Sequence, residues 1–209
     1  MPSRTPEDLP PTRWALTDPD ARGYGAHFAR LVEQGEDVDG EARLADALLP
    51  RRARVLDVGS GMGRVAAALQ TRGHDVVATE PDDGLRAQSR ATYPDLPVLP
   101  HQALAVDPAV VGRFDLVVAV GNVMVYLGTG TERAVLTRFR ELLADGGRVL
   151  LGFHPGAVMP GTRTYPPEEL VADAAAVGLS LDHRFGSYEL HPPSAEYAVR
   201  VLSSGPGAS

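Results

Sequence analysis

Apolar residues follow two rhythms along this chain. Between residues 50 and 153, short apolar runs at 54–58, 75–79, 98–99, 114–120 and 148–153 alternate with segments whose apolar positions recur every three to four residues. The runs predict strands, and the one at 114–120 is continuous enough for a strand covered on both faces. The intervening segments predict helices. Val65, Ala68 and Leu69 share a face that ends near Gly73, Leu85 lies in the next helix, and Val135, Phe139, Leu142 and Leu143 make a stripe closed by Gly146 and Gly147. Such alternation predicts an α/β fold, a mostly parallel sheet with helices on both faces.

The two ends depart from that rhythm. Upstream, Tyr24, Phe28 and Leu31 are spaced as one helical face with Gly35 as a stop, and a second short helix around Leu44 and Leu48 ends before Pro50. Downstream, a helix over 166–177 stopped by Gly178 precedes two extended segments near 179–190 and 196–202, which predict an antiparallel C-terminal hairpin and seven strands in all. Residues 1–15 are rich in proline and polar groups, and 204–209 hold little to bury, so both are expected to be disordered around a single domain at 16–203. A chain of 209 residues can bury one substantial core.

Composition narrows the function. Without an apolar run of membrane-spanning length or the apolar core of a secretory signal, a cytoplasmic protein with no membrane partner is expected. Cysteine is absent, which excludes thiolate nucleophiles and cysteine metal sites, and the histidines show no ligand spacing, so no metal is expected. The formal charge is −7 and all 20 cationic side chains are arginine. That balance argues against a nucleic-acid partner, which is held by a basic surface. The densest basic cluster, Arg51, Arg52 and Arg54, reads as a solvated entrance to the first strand.

Residues 55–65, VLDVGSGMGRV, carry the chemistry: a buried strand runs into a glycine-rich turn and then a helix. Gly59 and Gly61 admit a ligand close to the main chain, and Gly63 permits close packing where the helix begins. Glu80 ends the second strand about twenty residues beyond the first glycine, where a carboxylate can accept hydrogen bonds from both hydroxyls of a ribose. A dinucleotide fingerprint would require a third glycine at position 64, where Arg64 stands.

The pattern Asp57-x-Gly59-x-Gly61-x-Gly63 resembles the first motif of class I S-adenosylmethionine-dependent methyltransferases. The ligand of that family carries an ammonium and a sulfonium, so an acid beside the turn is tolerated, whereas a pyrophosphate would be repelled. The order of elements from Tyr24 to Leu202 is similar to that family's. The resemblance implies a cofactor site of Asp57, Gly59, Ser60, Gly61, Gly63, Glu80, Pro81, Leu85, Gln102, Ala103, Val120, Gly121 and Asn122. His101, Gln102, Ala103 and Leu104 match the segment framing the adenine, with Gln102 where the family commonly has aspartate. Gly121 and Asn122 match main chain along the methionine end.

The implied reaction is an in-line displacement on the methyl carbon by a nucleophilic acceptor, here a small molecule, since no second domain is available to recognise a macromolecule. His154, after the fifth strand, is the candidate general base, with a loop histidine bonded to nearby backbone as its alternative. Tyr126, after the fourth strand, either orients an acceptor or packs. His101 reads as a pocket wall. Trp14 and Tyr24 lie where many relatives fold a lid over the site. Two other readings stand beside this one: a cofactor-binding protein without transfer activity, and an NAD-dependent oxidoreductase, which Arg64 and the absence of lysine oppose.

Overall fold

The computed structural model describes residues 9–17 and 23–205, with residues 24–26 at the backbone alone. Seven strands among them form one sheet: β1 (Arg54–Val58), β2 (Asp75–Thr79), β3 (Val98–Leu99), β4 (Phe114–Ala119), β5 (Leu143–Phe153), β6 (Leu179–Phe185) and β7 (Ala198–Ser204), in the order β3-β2-β1-β4-β5-β7-β6. β7 runs antiparallel between β5 and β6, and the other pairings are parallel. The strand order reverses between β1 and β4, which opens a crevice at their carboxyl ends, the ordinary place for a ligand in such a sheet.

Alternation within the strands makes both faces apolar. Leu56 and Val58 of β1 join Val117 and Ala119 of β4 under α8 (Glu132–Leu142) and α9 (Pro167–Ala176), whose Leu136, Phe139 and Leu170 are fully buried. Val55, Leu116 and Val118 point the other way, onto Leu44 of α3 (Gly40–Ala47) and Val65, Ala66 and Leu69 of α4 (Arg64–Thr71). Side chains of period two in the strands therefore meet helical stripes on each side. Five further α-helices lie among the described residues, α1 (Arg13–Leu16), α2 (Tyr24–Glu33), α5 (Asp83–Thr92), α6 (Pro108–Val111) and α7 (Val123–Tyr126), with a short 3-10 helix at Ala103–Ala105. No helix among the described residues is long and apolar enough to cross a membrane.

The structure moves three boundaries. Residues 9–15, expected to be disordered, are placed against the domain: Thr12 caps α1 by accepting from the Ala15 N–H at 3.1 Å, and the Arg13 guanidinium donates to the Leu127 carbonyl at 2.7 Å. Specific polar anchors compensate here for a composition with little to bury. Residues 1–8 and 206–209 lie outside the described residues. Leu143, assigned to the helical stripe, instead starts β5, because its backbone is already extended and it pairs with Phe114. The hairpin strands are β6, ending at Phe185 rather than near 190, and β7, which takes in Ser204.

Candidate active site

The turn after β1 is shaped by contacts that forbid side chains. Gly59 has φ +66°, and a Cβ there would stand 2.8 Å from Val123 of α7. Gly63, at φ +87°, caps α4 in the left-handed region, and a Cβ would press on Leu96 and Ser89 at 2.6 Å. Gly63 thus provides the close packing expected of it. Asp57 is buried, the Ala66 N–H in the first turn of α4 favours its ionised form, and Oδ2 has no hydrogen-bond partner. Burial raises its carboxyl to about 7, opposed by the positive charge of Arg64.

Glu80 leaves the end of β2 pointing at the turn. Its Oε2 accepts from the Gly61 N–H at 3.0 Å and its Oε1 from the Asp82 N–H at 2.8 Å. Burial lifts this carboxyl too to about 7, even though both backbone donors favour the ionised form. Asp82 carries the chain of contacts onward: Oδ1 caps α5 through the Leu85 N–H at 2.9 Å, and Oδ2 accepts from the Trp14 indole at 3.0 Å. Trp14 meets Tyr126 edge to face, with ring centroids 5.2 Å apart. α1 therefore spans from the β2 end to the β4 end across the mouth of the crevice.

Asn122, at φ +78°, holds the opposite rim. Its N–H donates to the Gly152 carbonyl at 3.0 Å and its Oδ1 accepts from the His154 N–H at 2.8 Å, which ties the ends of β4 and β5 together. Asparagine tolerates this left-handed backbone better than most residues. Nδ1 of His154 lies 2.8 Å from the Glu196 carbonyl, which can only accept. In the neutral ring Nδ1 therefore carries the proton and Nε2 the lone pair. The Tyr126 hydroxyl donates to the Pro160 carbonyl at 3.2 Å.

Two adjoining cavities result. The crevice encloses about 750 Å³ including its open mouth, between Gly59, Gly61, Glu80, Leu85, Gln102, Gly121 and their neighbours. Beyond Trp14, Asn122, Tyr126 and Met159, which line both, a second chamber reaches His154, Phe28, Glu41, Arg64, Tyr188 and Tyr197.

Residues 55–147 match the family model described as a methyltransferase domain. A TehB-like S-adenosylmethionine-dependent methyltransferase from Corynebacterium glutamicum is 31% identical, with 88% of this chain and 98% of that one covered and a TM-score of 0.77. The chain belongs to the class I S-adenosylmethionine-dependent methyltransferases. Two more distant solved structures share the fold of this methyltransferase. One is the glycopeptide N-methyltransferase MtfA in complex with S-adenosylmethionine, 18% identical over 78% of this chain and 93% of that one, TM-score 0.63. The other is the sugar N-methyltransferase KedS8 from a Streptoalloteichus species, 18% identical over 84% and 91%, TM-score 0.62. No curated protein matches the sequence.

The cofactor of this methyltransferase is S-adenosylmethionine, and the crevice fits it. Glu80 presents a buried carboxylate to the crevice, the turn keeps Cβ atoms away from it, and Oδ2 of Asp57 is left without a hydrogen-bond partner behind the turn. Of the residues inferred from sequence, Gly59, Gly61, Glu80, Pro81, Leu85, Gln102, Ala103, Gly121 and Asn122 line the crevice. Asp57, Ser60, Gly63 and Val120 stand behind it: Gly63 packs on α5, and the Val120 side chain belongs to the core under α4. His101 lines neither cavity. Tyr126 serves as a wall between them, with its hydroxyl already engaged. The Tyr24 side chain lies outside the described residues.

Sequence reasoning overlooked Thr12, Val123, Leu127 and Met159 in the crevice, and Glu41, Tyr188 and Tyr197 in the chamber. Arg64, read as a missing glycine, is a buried cation that grips Glu41 through two nitrogens, donates to the Val38 carbonyl at 2.6 Å and lies over the Phe28 ring at 4.5 Å. One available signal was the pair of tyrosines flanking the β6–β7 connection.

Proposed function

We propose that this methyltransferase transfers a methyl group to a small-molecule acceptor held in the aromatic chamber, with His154 receiving the proton the acceptor gives up. The continuity of the two cavities carries this reading, since Trp14, Asn122 and Tyr126 belong to both. When bound, S-adenosylmethionine supplies a methyl group activated by a positively charged sulfur. Glu80 accepts the ribose hydroxyls, Gln102 and Ala103 frame the adenine, and Gly59, Gly61 and Gly121 let the main chain approach. Asp57 offsets positive charge from behind the turn.

His154 is supported as the base by its tautomer: with Nδ1–H held by the Glu196 carbonyl, Nε2 is the basic nitrogen, and the ring stays fixed edge to face against Tyr197 at 4.8 Å. Trp14 and α1 act as the lid, held by Asp82 and Tyr126, and exclude water while the acceptor is oriented. The site sits in a single domain that takes in Thr12 and Trp14 as well as the described residues from 23 on.

Calorimetric titration with S-adenosylmethionine and S-adenosylhomocysteine, with NAD as control, followed by isotope-labelled methyl transfer to a metabolite pool, tests this. Saturable binding of the first two and label in small molecules is expected. Label appearing in added RNA or protein and in no small molecule would overturn the acceptor assignment.

A further inference from the structure

Several of the polar groups around the chamber are already answered by the protein itself. Tyr188 and Tyr197 hydrogen-bond each other through their hydroxyls at 2.8 Å, and Nδ1 of His154 is held by a backbone carbonyl. Among the described residues that line the chamber, Arg64 and Glu41 carry the permanent charges, and they neutralise each other. Both are deeply sheltered, with side chains 5% and 13% exposed.

These arrangements discriminate between classes of acceptor. An anionic group would lose its water and meet a guanidinium whose two terminal nitrogens are engaged by Glu41 and the Val38 carbonyl. A cation would find the Phe28 face occupied by that same guanidinium, and would be repelled by it at close range. A flat, neutral ring gives up little hydration and gains contact with Tyr188 and Tyr197, whose rings meet their neighbours at steep angles suited to edge and face packing, and with Phe28 where it lines the chamber.

We infer that the acceptor is an uncharged, planar aromatic compound, seated against Phe28, Tyr188 and Tyr197 beside the neutralised Arg64–Glu41 pair. This deepens the function proposed above and rests on it. The test is calorimetry on the full chain saturated with S-adenosylhomocysteine, using four matched probes: β-naphthol, β-naphthyl phosphate, β-naphthylmethylammonium and the saturated decahydro-β-naphthol. β-Naphthol is expected to bind at least about tenfold more tightly than the other three. Tyr197→Leu should weaken that binding about fivefold or more while leaving S-adenosylhomocysteine affinity within about twofold. Phe28→Leu is the second variant should the first fail to fold.

Equal or tighter binding of the phosphate, the ammonium or the saturated ring overturns the inference, as does failure of every probe to bind. Loss of β-naphthol selectivity with normal S-adenosylhomocysteine binding condemns the acceptor class alone. A wild-type chain that does not bind S-adenosylhomocysteine would bring down the reading of the crevice, and this inference with it.

Discussion

The crevice and the adjoining chamber share a wall but are built differently. The crevice is made where the chain leaves β1, β2 and β4: its turn is defined by main-chain geometry, and its principal side chain, Glu80, is held by two backbone N–H groups. The chamber is made of side chains from α1, α2, α3, α4, the β4 and β5 ends and the β6–β7 connection, held by one another through Arg64, Glu41 and the tyrosine pair. A site made of backbone preserves one ligand across many sequences. A site made of side chains can be recut without disturbing the fold.

The contrast can be broken by substitutions aimed first at each cavity and then at the wall they share. His154→Ala is expected to have the largest effect, lowering kcat about a hundredfold to ten-thousandfold with S-adenosylmethionine affinity preserved. The backbone N–H bond to Asn122 survives this change, so the rim should stay in place. Steady-state kinetics with an identified acceptor, with imidazole added back, measures it. A variant with unaltered kcat would remove His154 from the mechanism.

Glu80→Ala comes next. Removing an acceptor for two ribose hydroxyls, and the anchor of the Gly61 and Asp82 N–H groups, should weaken S-adenosylhomocysteine binding about a hundredfold by calorimetry. Unchanged affinity would show that the ribose does not meet this carboxylate.

A smaller effect follows from proton linkage. The carboxyls of Glu80 and Asp57 are raised to about 7 by burial, above their unfolded range. Between about pH 4.5 and 7 the folded chain without cofactor binds more protons than the unfolded one, so its stability falls as pH rises through that window and levels off above it. A ligand that donates to the ionised forms pulls the other way. S-Adenosylhomocysteine affinity should therefore rise about tenfold for each linked carboxylate between pH 6 and 8, and Glu80→Gln should flatten its share. A flat wild-type profile would mean that neither proton is released on binding.

The smallest expected effect is at the shared wall. Trp14→Phe keeps the ring but removes the indole N–H bonded to Asp82, and should weaken cofactor binding about two- to tenfold. As this is the sole tryptophan, quenching of its fluorescence on titration of the wild-type chain reports lid contact directly. No change in emission on binding would place the lid elsewhere.

Much of the crevice was legible in the linear chain because its elements are local. The turn at 55–65 carries its own strand, glycines and helix start, and Glu80 sits at the end of the very next strand. What stayed hidden depends on distant pairs. Arg64 is 23 residues from Glu41, Trp14 is 68 from Asp82, and His154 is 42 from Glu196, and no periodicity in the sequence signals those meetings. Residues 9–15 were misjudged for the same reason: their order comes from Leu127 and Asp82, not from burial of their own side chains.

The sequence by itself determined the strand and helix alternation, the mostly parallel sheet with its antiparallel ending, and the glycine turn with its facing acid, because each is written in spacings of a few residues. Only the tertiary structure decided that Arg64 closes a buried ion pair rather than fails as a glycine, that the β6–β7 connection reaches the site, and that His154 presents Nε2 as its basic nitrogen. Those outcomes depend on which carbonyl, carboxylate or ring arrives from elsewhere in the chain, and packing alone brings them together.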